Sequence, residues 1–234
     1  MKNEVTHPSG CKIKFDEANH IYTIDNTRLN SVTKICKRYK HRFEFEKILD
    51  SYCRKHNLNK KHVRSEWNSK RELAVDLGNA CHAYAESLID NVTISNRNKY
   101  KDYYIQIKKK IKQDLKNYDK LMAECIVAYI DKKIAGTIDI LKLKDKTIVI
   151  GDWKTNETIK MSNSWNTMLP PFQYLDDCDF NTYRLQLNIY RYILEKENYY
   201  PGYSYEMVLH HVKKDRIVDI LIEKIDNDIF DKYL

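Results

Sequence analysis

Residues 135–156, AGTIDILKLKDKTIVIGDWKTN, read as two apolar β-strands joined by a short polar turn at Lys144-Asp145-Lys146. Within them Asp139, Asp152 and Lys154 stand where the pattern asks for Val, Ile or Leu. In an antiparallel pair, directly opposite residues share one face of the sheet. Pairing Leu143 with Ile148 sets Asp139 opposite Asp152, and Lys154, two residues on, points to the same face. This register needs residues 144–147 as the connection, or an equivalent bulge; a loop one residue shorter sends the two acids to opposite faces. Carboxylates brought to about 4 Å repel by roughly 4 kcal/mol at an effective dielectric near ~20, a large part of a domain's net stability. Something positive has to sit between them. Lys154 supplies one charge; a divalent ion held by both carboxylates supplies more, and hard oxygen ligands favour Mg²⁺ or Mn²⁺.

The preceding strand, MAECIVAYI (122–130), adds a third acid. A tight turn pairing Ile130 with Lys133 sets Glu124 opposite Asp139, so that three neighbouring strands bring acids to one point. The chain has only five glycines, and Gly136 and Gly151 flank the acids, where a missing side chain is expected to let another backbone or a phosphate come close. Upstream, RELAVDLGNACHAYAESLID (71–90) reads as a helix with Leu73, Leu77, Ala80, Cys81, Tyr84 and Leu88 as its apolar stripe. Beside that stripe Gly78, His82 and Glu86 recur four residues apart; His82 is placed to reach a metal, although a His/Glu pair at this spacing also reads as a plain surface contact.

Around these elements the chain reads as one α/β domain spanning residues 1–234, with a central mixed sheet flanked by helices. Residues 1–30 hold an N-terminal hairpin, CKIKFDEANHIYTID, expected to be structural. Residues 31–121 are helical, opened by Ser31 as N-cap and including a basic, Tyr-bearing segment (97–121) with Tyr104, Ile107, Ile111 and Leu115 at helical spacing. Residues 122–234 form the sheet core. It contains the helix YRLQLNIYRYILEKEN (183–198) with Leu185, Ile189 and Ile193 inward, a further hairpin and a short terminal helix.

The balance of 41 Lys+Arg against 33 Asp+Glu leaves a net charge of +8, which suits a polyanionic partner and equally a Lys-rich composition. Tyr100, Tyr103 and Tyr104 suit base stacking or, at helical spacing, packing. The six cysteines form no C-x-x-C pair, so neither a zinc ribbon nor a cysteine-held iron–sulfur cluster is expected. They fit a reducing, cytoplasmic setting, the host's if the source is viral. No long uncharged apolar run exists and MKNEVTHPSG lacks the apolar core of a signal peptide, so no membrane association is expected.

Taken in order, LGNACHAYAE, Glu124, GTID, GDWKTN and QLNIY resemble the motifs of the PD-(D/E)XK nuclease superfamily, in particular its RecB-like exonuclease branch, which holds phage and viral exonucleases and the mitochondrial genome-maintenance exonuclease. The lead-in HIYTID…LNSVTKICKRY is similar to that of the viral and phage members. The resemblance spans most of the chain and implies a restriction-endonuclease-like core. It implies metal ligation by His82, Asp139, Asp152 and the main-chain carbonyl of Trp153. Glu124 would bind a second metal or its water, and Lys154 would orient or activate the attacking water. Gln186 and Tyr190 would brace the site or meet the DNA strand, and Glu86 and Thr155 belong to the supporting motif positions. The cysteine cluster of the iron–sulfur members is missing, as is any helicase motor. The expected activity is Mg²⁺- or Mn²⁺-dependent hydrolysis of DNA from ends or single strands. Alternatives are a structure-selective endonuclease, such as a junction or flap resolvase, and a DNA-binding module that does not cut; the intact Lys154 and both aspartates weigh against the last.

Overall fold

The computed structural model describes residues 4–93 and 99–234. The chain opens with an antiparallel meander, β1 (Glu4–Thr6), β2 (Lys12–Asp16), β3 (Ile21–Ile24) and β4 (Thr27–Ser31), larger than the hairpin expected. Helices α1 (Val32–Arg38), α2 (Phe45–His56), α3 (Lys60–Ile89) and α4 (Lys101–Asn117) follow. Ser31 caps α1 as its sequence position suggests, its hydroxyl accepting from the Lys34 N–H. The first residues of the expected basic helix, 97 and 98, lie outside the described residues. The core strands are β5 (Lys120–Tyr129), β6 (Ile134–Lys144) and β7 (Thr147–Lys154); after α5 (Asp179–Lys196) come β8 (Ser204–Val212), β9 (Ile217–Leu221) and α6 (Asn227–Tyr233).

The result is an α/β fold with one large mixed sheet between helices. Strand β6 is its hub. Along one edge it pairs antiparallel with β5, from Tyr129 opposite Ile134 to Lys120 opposite Leu143. Its other edge has two successive partners. Ile134 and Ala135 pair in parallel with Asn30 and Ser31 of β4, and Ile140–Lys144 pair antiparallel with Gly151–Thr147 of β7. Between them the stretch 136–139 has no ladder partner on that edge, so the sheet splits there. β7 continues in parallel to β8, and β8 antiparallel to β9.

The β6–β7 register is the one read from the sequence, Leu143 opposite Ile148. Its cause is a two-residue turn in which Asp145 (φ 47°) and Lys146 (φ 59°) are both left-handed, the geometry that matches the twist of a tight hairpin.

Apolar packing sets two layers. α5 and α1 cover one face, where Leu185, Ile189 and Ile193 are fully buried against Leu141, Ile148 and Ile150. α3 and α4 cover the other, with Cys81, Tyr84, Tyr104, Ile107 and Ile111 against Ile140, Trp153 and Val212. Each such aliphatic side chain contributes roughly 1.5–3 kcal/mol by leaving water. Tyr104 therefore packs, stacked on Tyr84 at 4.3 Å between ring centres. Two expected core positions are surface instead: Leu73 is 61% exposed and Leu115 56%. Leu73 lies on the part of α3 away from the sheet, where the early half of this 30-residue helix packs on α2, Val63 meeting Leu49 and Cys53. No helix among the described residues is long and apolar enough to cross a membrane.

Candidate active site

The split beside residues 136–139 leaves the backbone of β7 beyond Gly151 without β6 to bond to, and buried N–H and C=O groups need partners. Two predicted site residues answer it. Asp139 Oδ2 accepts from the Trp153 N–H at 2.8 Å, and His82 Nε2 lies 3.0 Å from the Trp153 carbonyl oxygen. The other nitrogen of that imidazole, Nδ1, faces Asp139 Oδ2 at 3.5 Å and Glu124 Oε1 at 3.8 Å. The second half of α3, anchored on the sheet by Cys81, Tyr84 and Ala85, is what carries His82 there.

Glu124 sits opposite Asp139 by register, flanked by the pairs Ala123–Ile140 and Cys125–Ile138, but its own backbone is left-handed at φ 46°. For a non-glycine residue inside a strand this costs on the order of 1–3 kcal/mol, and such strain gathers at functional sites. On β6 the in/out alternation slips at the same level: Ile138 and Leu141, three apart, both pack into the cluster under α5. The two distortions turn Glu124 and Asp139 toward the helix that bears His82.

Asp152 and Lys154 form the second half of the site. Asp152 Oδ2 lies 2.5 Å from Lys154 Nζ, and Gln186 Nε2 approaches Asp152 Oδ1 at 3.5 Å. The ammonium also lies 4.7 Å from the centre of the Tyr183 ring, whose hydroxyl donates to Asn156 Oδ1. Burial raises the pKa of both aspartates, with Glu124 adding repulsion at Asp139 and Asp139 adding it at Asp152, while His82 and Lys154 pull both back. Burial works against the charge on Lys154, but Asp152 and Asp139 outweigh it and raise its pKa. For His82 burial again opposes the charge, and Asp139 and Glu124 overcome it, lifting the imidazole to about 9.

All five of these residues, with Glu86, Gln186 and Tyr190, line one cleft of about 730 Å³. Tyr190 is a buried brace: its ring occupies the space a side chain at Gly136 would take, a Cβ there meeting Tyr190 Cε1 at 2.7 Å. The two strand glycines thus make room for side chains, not for a phosphate or a backbone. At Gly151 the close neighbours are Ile140 Cγ2 at 2.6 Å and His210 Nε2 at 3.0 Å. Thr155 stands under α3, its Oγ1 3.6 Å from where Gly78 would carry a Cβ. The N-terminal meander, expected to be structural, supplies a wall through Phe15, Glu17, His20 and Tyr22, with the Tyr22 hydroxyl 2.8 Å from Thr137 Oγ1. Its sequence signals only alternation, and nothing local marks these residues as site-lining.

Ligand atoms of His82, Glu124 and Asp139 lie within 4.8 Å of one another, close enough to share one ion, and one imidazole with two carboxylates can hold a divalent cation. The set expected from the resemblance is His82, Asp139, Asp152 and the Trp153 carbonyl, with Glu124 at a second metal or its water; here Asp152 Oδ2 faces Lys154 at 2.5 Å and the Trp153 carbonyl faces His82 Nε2 at 3.0 Å. An ion bound to His82 must displace the proton that a pKa near 9 keeps there at neutral pH. Apparent Mn²⁺ affinity is therefore expected to rise about tenfold per pH unit from pH ~7 toward ~9. Calorimetry in buffers of different ionisation heat measures this as proton release; a pH-independent affinity with no proton released removes His82 from the ligand set. No protein-family model matches the chain, and no curated protein matches it.

Proposed function

We propose that the protein is a metal-dependent deoxyribonuclease of the PD-(D/E)XK type, RecB-like in its motif order, acting on DNA ends or single strands. The observation that carries this reading is the meeting of His82, Glu124, Asp139, Asp152 and Lys154 in one cleft at the split of the sheet. The chemistry a bound Mg²⁺ or Mn²⁺ supplies there is Lewis-acid stabilisation of phosphoryl charge and a more acidic water. Asp139, Glu124 and His82 would hold the ion, and the buried acids draw a cation for the same reason that they raise the pKa of His82. Lys154, kept protonated by Asp152 and Asp139, is a hydrogen-bond donor at neutral pH; it orients the attacking water or a phosphoryl oxygen and does not take the proton. Asp152 and the Tyr183 ring hold the ammonium in place.

The test is incubation of end-labelled single-stranded, duplex and closed circular DNA with Mg²⁺ or Mn²⁺. Mononucleotides or short products from the linear substrates are expected, with Lys154→Ala slower by about 10²-fold. Full activity in Lys154→Ala removes the role given to the lysine. Cutting of the circle turns the reading to a structure-selective endonuclease, and DNA retained but uncut turns it to a binding module.

A further inference from the structure

A second cleft, about 1170 Å³ and larger than the active one, lies between α2 and the segment that runs from β7 to α5. Its walls carry Lys40, Arg42, Phe43, Lys47, Lys160 and Trp165. Trp165 is 89% exposed and Phe43 69%, which leaves two ring faces open to solvent on one cleft. The acids of this cleft are already engaged. Asp177 accepts from the His41 N–H at 2.9 Å and has Lys40 at 3.8 Å, Asp179 accepts from the Lys160 N–H at 3.3 Å, and Glu44 pairs with Lys47 at 3.0 Å. Among the described residues no anionic partner faces the side chains of Arg42 or Lys160.

Two helices tie this cleft to the active site. α1 has Val32 and Thr33 in the active cleft, and Lys40 stands just past its other end in the second; α5 has Asp179 in the second cleft and Gln186 in the active one. At 1.5 Å per residue both helices give a separation of roughly 10–12 Å, about the rise of three stacked nucleotides of one strand.

We propose that this cleft is a binding track for an unpaired nucleic-acid strand, with bases stacked on Trp165 and Phe43 and phosphates on Arg42 and Lys160, leading the strand into the active cleft. A paired strand keeps its base faces stacked inside the duplex, so open aromatic faces beside cations select single strands. The proposal deepens the nuclease reading and takes from it only that the ligand is a nucleic acid.

Binding is measured in EDTA, where no cleavage is needed, by fluorescence anisotropy of an end-labelled single-stranded DNA of about 12 nucleotides, with single-stranded RNA and duplex DNA as further arms. The full chain is expected to bind single strands more tightly than duplex. Trp165→Ala is expected to weaken single-strand binding roughly 5- to 100-fold, Trp165→Phe to restore most of it, and both to leave weak duplex binding unchanged. Trp165 is on the surface, so these variants keep the fold, which circular dichroism checks. Single-strand binding unchanged in Trp165→Ala, or equal for single and double strands, overturns the track while leaving the cleavage assay to stand by itself. Single-strand binding that depends on Trp165 in a protein that cuts nothing sustains the track and sinks the nuclease reading.

Discussion

Asp139→Asn is expected to lower metal-dependent DNA cleavage by at least about 10³-fold while the thermal midpoint of the metal-free protein stays level or rises. The substitution is isosteric, and the amide oxygen of Asn can still accept from the Trp153 N–H that Asp139 holds at 2.8 Å, so the split in the sheet stays capped. What disappears is the negative charge that faces His82 at 3.5 Å and completes the trio with Glu124. Burial and the neighbouring Glu124 both press on that charge, which is why the carboxyl titrates above its usual range. Removing it relieves a cost in the metal-free protein at neutral pH, although His82 then loses part of what raises its own pKa. Residual cleavage above about a tenth of wild type would place the metal elsewhere, and an unfolded variant would mean that the charge itself holds the sheet together.

The largest expected loss of stability lies farther along β6, where the strand runs under α4. Lys142 Nζ is 2.7 Å from Asp114 Oδ2, with each side chain only 2% exposed. Burial depresses the pKa of Lys142 and the Asp114 carboxylate works to restore it. Lys110 reaches Asp114 at 3.4 Å and Asp219 at 2.7 Å, and Asp219 in turn binds His210 Nδ1 at 2.6 Å. Lys142→Met strips Asp114 of its nearest cation inside the protein, and this is expected to cost about 3–5 kcal/mol, because a buried charge left without its partner loses far more than the pair contributed. Lys142→Met combined with Asp114→Leu is expected to recover most of that loss, since an apolar pair of similar volume needs no desolvation. Urea denaturation of the two single variants and the double variant gives the coupling directly. A Lys142→Met that costs under about 1 kcal/mol would mean that Lys110 alone satisfies Asp114.

The hub of the sheet was readable because its hairpins leave little choice. A connection of residues 144–147 gives the β6–β7 pair Leu143–Ile148, and a tight turn pairing Ile130 with Lys133 gives the β5–β6 pair Cys125–Ile138. The left-handed backbone at Glu124 was not readable, since a non-glycine residue in that region is imposed by its surroundings and leaves no mark in the pattern. Helical spacing put His82 beside Glu86 but said nothing about distance to the strands, which is set by the docking of α3 through Cys81, Tyr84 and Ala85. Lys142 carried the same signal as Asp139, a charge inside an apolar strand, yet its partner Asp114 sits in an Asp-Leu-Lys triplet that looks accidental. The pairing of β4 with β6, which brings Tyr22 to the site, joins residues about a hundred positions apart and is beyond any local pattern.

Helix α3 is fixed to the sheet at one end and free of it at the other. From His82 back to Lys60 it reaches roughly 33 Å at 1.5 Å per residue, so a tilt of about 5° about the fixed end carries the far tip some 3 Å while hardly shifting the imidazole. The rod is a lever with the candidate site at its fulcrum. Changes of length or sequence near the α2–α3 corner can retune what the outer end touches without disturbing the geometry at His82.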